Sequence, residues 1–134
     1  MLNGRSLILF VALAAGLADF ALAHHSFSAE FDRDKPVELT GTVTRLEWTN
    51  PHARIYIDVT NEDGEVVNWD CELGPPNNLM RLGWNRNSLQ AGQVVTINGF
   101  LSKLDAHVAN ARTVHLADGR QVFAGSSFDT TDAQ

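Results

Sequence analysis

The sequence predicts a mainly β fold, a small OB-like Greek-key barrel with one short helix between its third and fourth strands. Three observations predict it. Short runs of alternating apolar and polar residues recur between turn signals. One helical stretch falls after the third run. The first run changes its apolar phase, as a strand must if it bends to serve two sheets. A two-sheet sandwich with a helical insertion is the alternative that the same pattern allows.

The elements follow in order. Residues 24–36 read as an irregular N-terminal arm, and the barrel is expected over 37–124. Val37, Leu39, Gly41 and Val43 alternate with polar residues, and the apolar phase then slips to Leu46 and Trp48. A slip beside a glycine is what a bulge or strong bend produces. Asn50-Pro51 ends this strand. A second run sets Ile55, Ile57 and Val59 on one face, with Arg54, Tyr56 and Asp58 on the other. Asn61-Glu62-Asp63-Gly64 turns the chain into a third run, Glu65 to Leu73, the return arm of a hairpin.

Gly74-Pro75-Pro76 breaks that run, because proline cannot donate to a ladder. Asn77 to Leu82 reads as a short helix stopped by Gly83. After Ala91-Gly92, Val95, Ile97 and Leu101 share a strand face with Gly99. Val108 to Leu116 is the next strand, and Asp118-Gly119 turns into a short run at Val122-Phe123. Residues 125–134 are polar and are expected to be a disordered tail.

Residues 1–23 have the marks of a cleaved export signal. Arg5 precedes the apolar run Leu7 to Leu17, and Ala21-Leu22-Ala23 offers small residues where a signal peptidase reads. An uncleaved membrane anchor needs about 20 apolar residues. This run is shorter, and Asp19 interrupts its extension. The mature protein is therefore expected to begin at His24, to have no membrane span, and to be periplasmic or secreted. Its formal net charge of −6 survives cleavage, since Arg5 and Asp19 leave together. A net acidic chain gains nothing from phosphate electrostatics, so nucleic acid is not an expected partner. Cys71 is the only cysteine. No internal disulfide is available, and its strand parity with Val67, Trp69 and Leu73 predicts a buried thiol.

Two features carry chemistry. Cleavage after Ala23 would expose His24 with a free α-amine, and His25 follows it. An amine of pKa about 7.7–8.0 and an imidazole of about 6.5 on one residue both yield protons to a metal near neutrality. They close a six-membered chelate that suits copper as Cu(II), ahead of Ni(II) and Zn(II). His25 and His52 are the candidates to complete such a site. The bland reading is a polar arm, and a cleavage point shifted by one residue would remove the chelate. His107 and His115 sit in no local metal motif and read as ordinary histidines.

The second feature is Trp48-Thr49-Asn50-Pro51-His52. A residue before proline is pushed towards an extended shape, so the segment is a stiff corner. It offers Trp48, Asn50 and Tyr56 as a ligand-binding patch, against the alternative that Trp48 is core. Catalysis has little support: there is no nucleophile elbow and no phosphate-cradling loop. Glu47, Asp58, Asp70 and Glu72 read as solvated carboxylates.

Ala23-His24-His25-Ser26-Phe27, Leu39-x-Gly41, Trp48-Thr49-Asn50-Pro51-His52, Gly83-Trp84 and Asp118-Gly119 together resemble a family of small exported bacterial proteins. That family is known as a domain of unknown function, mainly in proteobacteria. The resemblance spans nearly all of the mature chain and implies export and a single domain. It assigns no activity. The reading is an exported, non-catalytic binding protein with a copper-type site at His24, His25 and His52. The alternative is an interaction module that takes an envelope protein, a peptide, a glycan or another small ligand on its barrel face.

Overall fold

A computed structural model describes residues 27–124. The expected signal segment, His24, His25 and the expected tail lie outside those residues.

Residues 27–30 form a helical turn, α1. The strands are β1 (Phe31–Glu47), β2 (Arg54–Thr60), β3 (Val66–Glu72), β4 (Val94–Ser102), β5 (Val108–Leu116) and β6 (Gln121–Phe123), with α2 (Pro76–Arg81) between β3 and β4. The sheet order is β3-β2-β1-β4-β5-β6, and β3 also pairs with β5. Five strands thus form a ring, and its closure is partial: only Asp70, Cys71 and Glu72 pair in parallel with Val108, Ala109 and Asn110. This is the expected OB-like barrel, with its helix in the expected place.

β1 makes the ring possible. Its first part pairs with β4 as far as Thr42↔Val94, and its second part pairs with β2 from Thr42↔Asp58 onward. A register shift between Val43 and Arg45 bends the strand just past that handover. The slip in apolar phase had predicted this bend. A side chain at Gly41 would place its Cβ 2.5 Å from the Asp58 carbonyl oxygen, so only glycine lets the coiled strand approach β2 so closely.

β1 begins earlier than the sequence suggests. Phe31 pairs with Ser102, and the ladder resumes at Pro36↔Phe100. The intervening Asp32, Arg33, Asp34 and Lys35 bulge outward, and the Asp34 N–H donates to Asp32 Oδ1 at 3.1 Å. Four polar residues hid the strand because they lack alternation.

Ile55, Ile57, Val43, Val95, Ile97 and Val114 fill the barrel, each at most 1% exposed. Cys71 is fully buried among them, as expected. Each fully buried side chain of this kind stabilises the fold by about 1.5–3 kcal/mol. Pro76 opens α2, where a missing N–H is harmless. Gly83, at φ +90°, closes it. The Gly83 N–H donates to Met80 O and the Trp84 N–H to Leu79 O, a glycine-stopped helix end. α2 delivers Leu79 to the core, and the following loop adds Trp84 and Leu89. Among the described residues, no helix is long and apolar enough to cross a membrane.

Candidate functional site

The hairpin register of β2 and β3 builds the first part of the site. Arg54 stands opposite Glu72, and Tyr56 stands opposite Asp70. These four residues occupy the outer face, since Ile55, Ile57 and Cys71 take the inner one. The Arg54 guanidinium forks between two carboxylates. Nη1 donates to Asp70 Oδ2 at 2.8 Å, and Nη2 donates to Glu72 Oε2 at 3.1 Å.

The corner before β2 adds a histidine. Backbone bonds from the Ala53 N–H to Gly74 O and from the Leu73 N–H to Ala53 O pin the corner to the end of β3. The Asn50–Pro51 peptide within it is cis. His52 lies with Nδ1 3.3 Å from Glu72 Oε1. One carboxylate bridges an imidazole and a guanidinium, in the chain His52–Glu72–Arg54–Asp70.

Glu72 was read as a solvated carboxylate; it is buried, at 6% exposure. The Arg54 guanidinium and the His52 imidazole, both within hydrogen-bond reach, offset its desolvation. Its hydrogen bond raises the His52 pKa above 6.5, with burial opposing and the negative charge of Glu72 reinforcing. Burial works against the charge of Arg54 as well, but Asp70 and Glu72 outweigh it and raise its pKa. Asp70 Oδ1 is buried with no hydrogen-bond partner among the described residues.

The N-terminal arm completes the site. Phe27 and Phe31 are buried, with ring centroids 5.4 Å apart, and Phe27 meets Phe100 edge-on at 6.1 Å. Lys103 ties the arm down: Nζ donates to Ser28 O at 2.6 Å and its N–H to Glu30 O at 2.8 Å. Between arm and corner lies a cleft of about 280 Å³ lined by Phe27, Glu30, Phe31, Pro51, His52, Arg54 and Glu72. The chain therefore enters the described fold beside His52.

Trp48, Asn50 and Tyr56 do not line this cleft. Trp48 is half-buried and packs against the core cluster, Asn50 is exposed at the corner, and Tyr56 lies on the outer face with the Arg45 guanidinium carbon 4.1 Å from its ring centre. Trp48 and Tyr56 thus serve different faces. Trp69 is partly buried and meets His107 edge-on at 5.4 Å, and Trp84 is core. His115 sits on β5, 3.5 Å from the Thr113 hydroxyl. His24 and His25 lie outside the described residues.

Sequence reading passed over Arg54, Asp70 and Glu72 as site residues. The signal for them was the hairpin itself: its turn at Asn61 to Gly64 sets the register that brings Arg54 between two carboxylates. Among the described residues, no three of His, Cys, Asp or Glu are grouped to hold a metal ion.

A family model described as a family of unknown function, DUF6152, matches residues 12–109. That range takes in the whole cleft and the barrel as far as the start of β5. No curated protein matches the chain.

Proposed function

We propose a function for this chain, which belongs to the DUF6152 family: it is an exported, non-catalytic binding protein that holds a copper-type ion. His24, at the processed N-terminus, is the bidentate chelator through its amine and imidazole. His25 and His52 complete the site. The observation that carries this reading is the cleft whose walls the arm residues Phe27, Glu30 and Phe31 share with His52. Three residues of chain span at most about 11 Å, so a ligand at His24 starts within reach of the cleft.

The His52–Glu72 hydrogen bond fits that role. A ligating histidine characteristically gives its second ring N–H to a carboxylate, which fixes the tautomer and the ring plane. Here Glu72 would hold the proton on Nδ1 and leave Nε2 for the metal. Arg54 in turn holds the other oxygen of Glu72.

The test is a Cu(II) titration by calorimetry and EPR on exported protein, after mass spectrometry has confirmed that it begins at His24. One-to-one binding is expected. One extra alanine ahead of His24 should abolish high affinity and leave the fold intact. Glu72→Gln should weaken binding roughly 10–100-fold, the usual effect of removing such a support. Equal, weak binding by the mature and alanine-extended proteins would sink the proposal.

A further inference from the structure

A second cleft, of about 450 Å³, lies outside the site at His52, between the loop after α2 and the β5–β6 turn. Its size is in the range of small-molecule sites, roughly 300–1,000 Å³. Among the described residues no acidic side chain lines it, although the chain carries 16 Asp and Glu. Trp84, Leu89, Leu116 and Val122 supply an apolar part of its wall. The rest is amides, one hydroxyl and one guanidinium.

The local hydrogen bonds give this lining a polarity. Asn85 Oδ1 accepts from the Asn87 N–H, and Gln93 Oε1 accepts from the Gln90 N–H, each at 2.8 Å. The Ser88 hydroxyl oxygen accepts from the Asn85 N–H, also at 2.8 Å. These loop bonds engage acceptor atoms. The amide NH₂ groups of Asn85 and Gln93 and the hydroxyl proton of Ser88 are not used in these bonds and stay available as donors.

Arg120 adds a charge to these donors. Its backbone N–H donates to Asp118 Oδ1 at 3.0 Å, and its Nε donates to Asp118 Oδ2 at 2.7 Å. Asp118 thus engages Nε, and among the described residues the Nη pair has no ion-pair partner. That free edge is the geometry for a bidentate ion pair.

We infer that this cleft binds an acidic sugar, with the Arg120 Nη pair on its carboxylate and Asn85, Ser88 and Gln93 donating to its hydroxyl and ring oxygens. The apolar wall receives the C–H face of the sugar ring, and the volume holds one or two rings. Polar, partly apolar ligands of this kind match a cleft lined by one guanidinium, several amides, a hydroxyl and an apolar wall. The site uses neither His52 nor any residue before Phe27, so it stands or falls apart from the metal reading.

The experiment is ¹⁵N–¹H NMR titration of the protein with glucuronate, glucose and acetate. Glucuronate should shift the amides of residues 85–93 and 118–121 in a saturable way. Glucose and acetate should each bind at least about tenfold more weakly, since each lacks one half of the recognised group. Arg120→Gln is an exposed substitution that leaves the fold intact by circular dichroism, and it should abolish the preference for glucuronate over glucose. Running a galacturonate trimer alongside separates the two sources of such a ligand, with tighter binding by the trimer marking a polysaccharide end and tighter binding by the monomer a free sugar. No shift with either uronate, or shifts unchanged in Arg120→Gln, would overturn the proposal.

Discussion

At the scale of single residues, Cys71 gives the clearest consequence of burial. The thiol has no exposure, and burial followed by the nearby charge of Asp70 pushes its pKa from 9.0 up to about 12. The unfolded chain therefore loses this proton first as pH rises. Stability from the neutral thiol is fully present below pH 9, and it declines as pH climbs from 9 towards 12. At pH 10 the loss is about 1.4 kcal/mol, the value of one pK unit. Urea melts at stepwise pH should show this alkaline decline, and Cys71→Ala should flatten it between pH 9 and 11. An unchanged slope in that variant would assign the decline to other groups. The thiol was legible because strand parity alone put it inside. Glu72 was not, because its burial depends on an arm and a corner that are distant in sequence. Alternation within one strand reports which face a residue takes, but not what later covers that face.

At the scale of elements, two glycines set how closely strands pass. Gly41 was legible from the slip in apolar phase beside it. Gly99 was not, since it keeps step with Val95, Ile97 and Leu101. The structure explains its requirement: an added Cβ would lie 1.8 Å from the Asn110 carbonyl oxygen, where the β4–β5 register shifts between Asn98 and Gly99. The obstacle is backbone and cannot rotate away. Gly99→Ala should therefore destabilise the protein by about 1–3 kcal/mol, the range for forced overpacking, read as a lower urea midpoint with an unchanged slope. Wild-type stability in this variant would mean that β5 yields freely at the bulge. Helix α2 was placed to within a residue at each end because proline and glycine punctuate it. The start of β1 was missed because Asp32 to Lys35 loop out of the ladder.

At the scale of the whole molecule, the order of strands and helix was readable, but the strength of each seam was not. Eight residue pairs join β1 to β4, whereas three parallel pairs join β3 to β5. Parallel pairing is also slightly weaker per residue. The ring should therefore open first at β3–β5. The end of β3 at that seam carries Asp70 and Glu72, so the charged chain to His52 rests on the least supported edge of the barrel. Its partners offset this: the Asp70 N–H donates to His107 O, and Arg54 clamps both carboxylates from β2. Hydrogen exchange followed by NMR separates the two levels of opening. The amides of the seam, Asp70 foremost, should exchange faster than those of the β1–β4 ladder around Leu39 and Ile97. Arg54→Met should widen that gap by loosening β3 while leaving the β1–β4 rates set by global unfolding. Equal rates at both places in the native protein would show instead that the barrel opens as one unit, with three pairs and one guanidinium closing it as firmly as eight pairs close its opposite side.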